Sequence, residues 1–483
     1  MNHPYLTAFV TIWLIHLLRN RYGGGLSSIP GPFLATLTDF WLLVDVARGN
    51  SHKRLLQLHK HHNSRFIRIG PRKISVSDPN IVPKIYGFDP VLEKSDFVHI
   101  FRTPCNGKFV PSLFNTTDEA YHTRIKKPFA NAYSMSTLIE FEEKVDKTTR
   151  LFEECLDRFV ESGRSFDLPW WLQAYAFDVL GEICFSKKLG FLDAGKDVMG
   201  IIEDVKRKLW TGIILVQVRT VGKTIIGLAA RLAPTHQIVK FCLRCLDERK
   251  ASVEELNEVS ATKKDFLSRC FDAQIKNPDV VTDDIIRAVT PSKKSSDRCQ
   301  QIIYHLMLNP PCLSALRAEV DKAELSNPVN WKEAKAMPYL QACIKEGLRI
   351  HPVVAVPLER VVPKGGLTLS RTYFPAGTII GCSPYLVARN EKLFPDPDAF
   401  RPERWLEASD QDLMVMERSS LAWGSGKRIC IGKNVAMLEM SKLIPQLLRL
   451  YDFKLAGGDD RTSAAKSWFT WIKDFDVLVS SRR

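Results

Sequence analysis

The chain has 483 residues, of which 45% are hydrophobic and 25% are charged, and its formal net charge is +14. These proportions are those of a globular protein and exclude a largely disordered chain. The basic residues are dispersed and no nucleic-acid-binding motif accompanies them, so we expect no nucleic-acid partner. An anionic membrane surface or an acidic protein fits the positive charge better.

The N-terminal residues 5–18 (YLTAFVTIWLIHLL) are almost wholly apolar and carry no formal charge. The run is short of the ~20 residues that span a bilayer, which leaves a cleaved signal peptide as the alternative. No basic segment precedes the run and no small-residue cleavage site follows it, whereas Arg19 and Arg21 flank its C-terminal end. We therefore predict a single-pass membrane anchor over residues 1–18, with the domain that follows held in the cytoplasm.

Residues 19–35 hold a glycine triplet and then the sequence IPGP, a flexible piece followed by a stiff one, which predicts a hinge. Residues 36–483 are predicted to form one domain. Within it, residues 66–77 (FIRIGPRKISVS) alternate in polarity around a Gly-Pro turn, which predicts a pair of strands. Helical periodicity dominates from Thr116 onward, where Thr116 and Glu119 suggest a capping box. The expected class is mainly α with a small β-sheet.

Residues 423–432 (WGSGKRICIG) form a glycine-rich loop that carries Cys430 just before an amphipathic helix. Backbone N–H groups and the helix dipole at such a position stabilise the thiolate that a metal ligand requires. The loop glycines would let the backbone approach a flat cofactor closely. The alternative is a glycine-rich turn that happens to contain a cysteine.

The loop resembles the haem-binding signature of the cytochrome P-450 family, F-x-x-G-x-R-x-C-x-G. Gly426, Arg428, Cys430 and Gly432 occupy the signature positions, and Trp423 stands where the family has phenylalanine. The resemblance implies that Cys430 is the axial ligand to the iron of haem b (iron protoporphyrin IX). An indole at position 423 could still shield the sulfur.

Two further motifs follow the family's order along the chain. Glu346 and Arg349 form an E-x-x-R motif on a predicted helix, and the segment FRPERW contributes Arg404. An isolated E-x-x-R pair would be read as a common surface salt bridge. The resemblance instead implies a structural network of Glu346, Arg349 and Arg404 beneath the haem, with no part in turnover.

The two propionates of haem need cations or hydrogen-bond donors. The resemblance nominates Arg428, then Arg360, then Lys126. Where the family often carries W-x-x-x-R, this chain has His122 and Lys126, so the expected contact is weaker than the usual guanidinium fork. A solvated basic helix face is the alternative for Lys126.

The resemblance implies a cytochrome P-450 fold, a helical prism, behind the membrane anchor. It also implies insertion of one oxygen atom from dioxygen into a hydrophobic small molecule. The sequence contains no G-x-G-x-x-G dinucleotide fingerprint, so electrons are expected from an NADPH-dependent flavoprotein reductase. That reductase would dock at basic residues near the cysteine, namely Lys126, Lys127, Lys427, Lys433 and Lys442.

Residues 175–192 (YAFDVLGEICFSKKLGFL) resemble microsomal fungal members of the family, many of which serve secondary metabolism. The resemblance therefore implies an endoplasmic reticulum location and a secondary-metabolite substrate. Nothing in the cysteine loop specifies that substrate.

The resemblance breaks at residues 284–303, where the family carries A-G-x-[DE]-T on a long helix that manages protons. This chain has DIIRAVTPSKKSSDRCQQII, with Pro291 in the expected helix interior and Arg298 after the acid Asp297, so we nominate no catalytic residue. One hypothesis is a misplaced splice junction or a local frame error. The others are a haem-binding relic without turnover and a haem-thiolate protein of different chemistry.

Overall fold

The computed structural model of the protein describes residues 4–102, 104–105, 108–109, 111–217, 237–256, 265–289, 297–457, 465–466, 469–470 and 475–482. Helices predominate in these residues, as the sequence predicts. Their bounds are α1 Pro4–Tyr22, α2 Phe33–Leu37, α3 Phe40–Ala47, α4 Ser51–His61, α5 Val82–Tyr86, α6 Glu119–Lys126, α7 Met135–Ile139, α8 Glu142–Ser162, α9 Leu168–Phe185, α10 Phe191–Ala194, α11 Ile201–Leu215, α12 Gln237–Leu256, α13 Phe266–Lys276, α14 Asp283–Val289, α15 Asp297–Leu308, α16 Pro310–Lys322, α17 Trp331–Lys335, α18 Pro338–Ile350, α19 Pro384–Val387, α20 Arg404–Glu407, α21 Asp410–Ser419 and α22 Lys433–Leu450.

The strands are short. They are β1 Phe66–Gly70, β2 Lys73–Val76, β3 Pro104–Cys105, β4 Lys108–Phe109, β5 Phe166–Asp167, β6 Arg360–Val361, β7 Leu367–Leu369, β8 Thr372–Phe374, β9 Ile379–Cys382, β10 Tyr451–Leu455, β11 Ala465–Lys466, β12 Phe469–Thr470 and β13 Asp476–Ser481.

The main core lies among the long helices, with α9 at its centre. Nearly every residue of α9 is buried, because the helix is apolar on all sides and must be surrounded by other elements. The carboxylate of Asp167 caps α9 by accepting a hydrogen bond from the Trp170 N–H at 3.0 Å. Leu443 of α22 belongs to the same cluster, so the helix that follows the cysteine loop is anchored in this core.

The predicted strand pair is confirmed, since β1 and β2 are antiparallel with Phe66 opposite Val76. They join β9 and β6 in a four-stranded sheet of order β1-β2-β9-β6, in which only β2 and β9 run parallel. All four residues of β2 and all four of β9 are buried. Their chain positions are far apart, so a propensity argument could not have predicted this pairing.

Helix α1 covers the predicted anchor from Pro4 and extends beyond residue 18 to Tyr22, whereas residues 1–3 lie outside the described residues. Its apolar side chains are exposed, among them Phe9, Ile12 and Trp13. Among the described residues, however, no helix combines the length and apolarity needed to cross a membrane. The expected membrane-spanning helix is therefore not supported, and the physical reason is that Arg19, Asn20 and Arg21 occupy the last turns of α1.

The break in the family pattern lies between α14 and α15. Residues 283–289 and 297–308 are helical, and Pro291 lies outside the described residues. α15 packs against α9, α18 and α22, so the C-terminal part of this region belongs to the core.

Candidate active site

Cys430 is exposed, whereas the other nine cysteines whose side chains the structure describes are buried or half-buried. Its N–H donates to the carbonyl oxygen of Trp423 at 2.8 Å, and its own carbonyl accepts from the N–H of Lys433 at 3.3 Å. The second contact leads directly into α22. The loop therefore presents the thiol at the N-terminal end of a helix whose other end is held in the core.

Cys430 lines a cavity of about 430 Å³. This volume lies within the range of small-molecule sites, roughly 300–1,000 Å³. Much of the wall is apolar and comes from α9, α12 and α13, including Leu180, Val239, Leu243 and Phe266. A thiol beside an apolar wall suits a largely hydrophobic group that carries a metal with affinity for thiolate.

Gly426 and Gly432 of the loop differ in the surroundings that a side chain would meet. Gly426 has φ +63°, and a Cβ there would lie 1.8 Å from the carbonyl oxygen of Tyr86. The absence of a side chain at Gly426 therefore allows the loop to pack against the end of α5. Contrary to the expectation that the loop glycines meet the cofactor, Gly426 does not line the cavity. Gly432 does line the cavity, and a Cβ there would meet no atom within 4 Å.

Arg428 lines the cavity and pairs with Glu119, the residue for which the sequence suggests a capping-box role. Its Nε lies 2.8 Å and 3.0 Å from the two carboxylate oxygens of Glu119, and its Nη2 also lies 2.8 Å from one of them. The predicted capping box is therefore wrong. Asp118 caps α6 by accepting a hydrogen bond from the Tyr121 N–H at 2.9 Å. The Glu119 side chain does not cap the helix and pairs with Arg428 instead.

Lys126 lies beside Arg428 on the cavity wall and contributes to its positive charge, and His122 lies on the same wall. The Nζ of Lys126 donates to the carbonyl oxygen of Lys427 at 3.2 Å. Burial, and then the charge of Arg428, lowers the pKa of Lys126. Burial lowers the pKa of His122 to about 3, with Arg428, Lys126 and Lys94 acting in the same direction, so the imidazole is neutral.

The charge of this wall is a test of whether a dianionic cofactor fits. Within the described part of the chain, Asp284 is the only acidic residue that lines the cavity, against five lysines and arginines: Lys94, Lys126, Arg287, Arg298 and Arg428. Two propionates would offset two of these four excess positive charges. The thiol, the open space at Gly432 and this charge together fit haem.

Arg360 is buried but does not line the cavity. Its Nη1 donates to the carbonyl oxygen of Glu359 at 2.9 Å, and its guanidinium lies 4.9 Å from the ring centre of Tyr86. Arg428 is close enough to lower the pKa of Arg360, although burial has the larger effect. The structure thus brings Arg360 close to the positive wall and not into it.

Glu346, Arg349 and Arg404 form a buried network. The Nε and Nη2 of Arg349 each donate to one oxygen of Glu346 at 2.8 Å, and the Nε of Arg404 donates at 3.0 Å. Burial opposes ionisation of Glu346, but hydrogen bonds and charge from Arg349, and then the charge of Arg404, keep its pKa below the ordinary value. The carboxylate is therefore ionised and fully paired.

Trp423 lines the cavity and meets Arg298, the residue we judged unsuitable for proton transfer. The guanidinium carbon of Arg298 lies 3.4 Å from the centre of the indole ring. This cation–π contact joins the start of α15 to the cysteine loop. Sequence reasoning had no signal for it, because the two residues lie far apart in the chain.

The lysines expected near the cysteine do not all reach the surface. Lys127, Lys427 and Lys433 are exposed. The prediction that Lys442 helps to dock the reductase is wrong, because Lys442 is buried and its Nζ pairs with Glu142 at 2.6 Å and Asp146 at 2.8 Å. The helical period of α22 turns position 442 toward α8.

Comparison with known proteins gives consistent results. The cytochrome P-450 family profile matches residues 30–474. The cytochrome P-450 monooxygenase mpaDE of Penicillium brevicompactum is 36% identical over 493 aligned residues, which cover 97% of this chain and 57% of that protein. The chain therefore spans little more than half the length of mpaDE.

Two other relatives match over nearly their whole length. The cytochrome P-450 monooxygenase cicH of Emericella nidulans is 34% identical, covering 98% of this chain and 97% of that protein. Pisatin demethylase of Fusarium vanettenii is 32% identical, covering 99% and 92%. The cysteine loop, the buried Glu-Arg-Arg network and these matches lead to one conclusion: the chain belongs to the cytochrome P-450 family, whose members carry a haem iron.

Proposed function

We propose that the protein is a haem-thiolate monooxygenase that inserts one oxygen atom from dioxygen into a hydrophobic small molecule. The observation that carries the proposal is the exposed thiol of Cys430, which lies on an apolar cavity wall at the start of α22. The names of mpaDE and cicH, both monooxygenases, support it. They do not favour the alternative of a haem-binding relic.

The cofactor would be haem b, which the sulfur of Cys430 would hold through the iron and Arg428 and Lys126 through the propionates. When bound, haem supplies the activation of dioxygen, with two electrons and two protons consumed as one oxygen atom enters the substrate and the other leaves as water. The Cys430 thiolate would then supply electron density that favours cleavage of the oxygen–oxygen bond. We name no catalytic residue beyond these ligands.

The cavity wall supports a hydrophobic substrate. Val239, Leu243 and Leu246 of α12 face the cavity beside Phe266 of α13. Such a wall excludes water and holds a substrate by apolar contact, without fixing one functional group. Fungal secondary metabolites are the substrate class that the resemblance of residues 175–192 and the fungal relatives suggest.

Electrons come from an NADPH-dependent flavoprotein reductase. Lys427 lies in the cysteine loop, Lys433 directly follows the loop, and Lys127 follows Lys126, whose Nζ donates to the carbonyl oxygen of Lys427. All three lysines are exposed and would attract an acidic partner surface. Increasing salt should therefore slow reduction by the partner much more than reduction by a small chemical reductant.

The protein is attached to the endoplasmic reticulum membrane through α1, with the haem domain in the cytoplasm. The exposed apolar side chains of α1, with those of Phe33 and Leu34 on α2, support attachment. Deletion of residues 1–22 should release the protein from the membrane fraction. Retention in the pellet after deletion would contradict attachment through α1.

The sequence between α14 and α15 departs from the family pattern, and we propose that it is shortened. The alignment with mpaDE extends over 493 residues, so that relative has residues within the aligned span that this 483-residue chain lacks. We propose that some of them belong between α14 and α15 and were lost through a misplaced splice junction or a frame error. Sequencing the transcript across codons 280–310 tests this, since an unchanged reading of that interval would contradict it.

The function is tested by combining a spectrum with turnover. The purified protein, reduced and exposed to carbon monoxide, should show the red-shifted Soret band of thiolate-ligated haem. With a fungal reductase and a panel of hydrophobic metabolites, NADPH consumption should accompany an oxygenated product. A thiolate spectrum without any product would favour the relic, and the absence of haem would overturn the proposal.

A further inference from the structure

Glu119 is the carboxylate that holds Arg428, and family resemblance gave no role to it. It is the first residue of α6, and its side chain is 18% exposed, whereas that of Arg428 is 3% exposed. Nε of Arg428 lies 2.8 Å and 3.0 Å from the two carboxylate oxygens of Glu119, and Nη2 lies 2.8 Å from Oε1, the oxygen nearer to Nε. Such a pair fixes the plane of the guanidinium.

The remaining nitrogen of Arg428 is engaged only loosely. Its Nη1 donates to the carbonyl oxygen of Leu113 at 3.4 Å, and its Nη2 has a second contact with the Asp118 carbonyl at 3.5 Å. Both distances are long for N–H···O hydrogen bonds. Nη1 is therefore the atom from which Arg428 can donate to a further anion while its other edge stays on Glu119.

Glu119 also moderates the positive charge beside the cavity. It raises the pKa of Arg360, against the larger effect of burial and the opposing charge of Arg428. It does not line the cavity itself, so an anion bound there would meet the guanidinium first and the carboxylate behind it. A carboxylate that hydrogen-bonds a residue in contact with a bound group orients that residue and adjusts the electronic properties of the group.

We propose that Glu119 is a positioning residue, which orients Arg428 toward a haem propionate and lowers the reduction potential of the iron. This inference rests on the proposed haem binding. A fixed negative charge behind Arg428 offsets part of the guanidinium charge and so disfavours the more negative ferrous state. The opposite possibility is that Glu119 competes with the propionate for Arg428 and weakens haem binding.

The two possibilities predict opposite effects in two variants. Glu119→Gln keeps an oxygen acceptor for Arg428 but removes the charge, so it should retain haem and shift the reduction potential to a more positive value. Glu119→Ala removes the support altogether, and haem release to excess apomyoglobin should become roughly 10–100-fold faster. In an Arg428→Lys background, which lacks the guanidinium contacts to Glu119, the effect of Glu119→Gln on the reduction potential should shrink.

Glu143 offers a matched control. It also lies in the first turn of a helix, α8, but its side chain is 81% exposed and pairs with the exposed Lys147 at 3.0 Å. Glu143→Gln and Glu143→Ala should leave both the potential and the release rate unchanged. The Glu143 variants therefore control for the loss of helix stability that follows when any negatively charged glutamate is removed from the first turn of a helix.

The outcomes separate the hypotheses. Slower haem release in both Glu119 variants would establish competition and overturn positioning. A potential and a release rate that match those of the Glu143 variants would also overturn it. If the unsubstituted protein shows no thiolate-haem spectrum, the proposed function itself fails, and this inference fails with it.

Discussion

Replacing Glu346 with alanine tests the buried network most severely. Glu346 has no exposed side-chain surface, and it accepts from Arg349, Arg404, the Trp405 indole at 2.9 Å and the Arg401 N–H at 2.9 Å. Its removal leaves two guanidinium groups buried without their carboxylate. Breaking a buried pair in this way costs about 3–5 kcal/mol. Since typical domains unfold at about 5–15 kcal/mol, this is a large fraction of the total.

The assay is chemical unfolding followed by fluorescence, with haem content measured in parallel. Glu346→Gln should be milder than Glu346→Ala, because the amide keeps one acceptor oxygen. The control is Glu391→Gln at the exposed Lys60–Glu391 pair, where the two side chains are 63% and 66% exposed and the expected loss is under about 1 kcal/mol. A Glu346→Ala protein that loses no more stability than the control and keeps its haem would refute the reasoning.

Three further predictions concern acid stability and the loop glycines. Burial lowers the pKa of His59 to about 4, so the unfolded chain takes up a proton below about pH 6.5 that the folded protein does not. The free energy of unfolding should therefore fall by about 2 kcal/mol for His59 alone between about pH 7 and pH 5. His59→Gln should reduce this slope, unlike His61→Gln on the exposed face of α4; equal slopes in a denaturant titration would contradict the reasoning. Gly426→Ala should destabilise the fold, because its Cβ would overlap Tyr86 at a positive φ. Gly432→Ala should leave apoprotein stability unchanged but reduce haem content, and a variant with full haem content would show that the cofactor does not use that space.

The sequence predicted those parts of the molecule that depend on local pattern. The helical class, the first strand pair and the cysteine before a helix all follow from periodicity or from residues close together in the chain. The order of three motifs predicted that Glu346, Arg349 and Arg404 act together. The structure gives the distances of that network, while its role in retaining haem stays a prediction until the variants are measured.

Long-range geometry was beyond the sequence. The pairing of Glu119 with Arg428 joins α6 to the cysteine loop, and a capping-box pattern at Thr116 and Glu119 led to the wrong local role. Lys442 shows the same limit, since its basic side chain indicated a surface position while acidic residues of α8 stabilise it in the interior. In both cases a partner distant in sequence decided the conformation of a charged side chain.

The central claim is that Cys430 ligates haem iron, and one comparison of spectra tests it most directly. The reduced carbon monoxide spectrum is recorded for the unsubstituted protein, for Cys430→Ser and for Cys242→Ser, which alters a cysteine on the wall of the same cavity. We expect the thiolate Soret band in the unsubstituted and Cys242→Ser proteins and its loss in Cys430→Ser. A thiolate band that survives in Cys430→Ser would contradict the account.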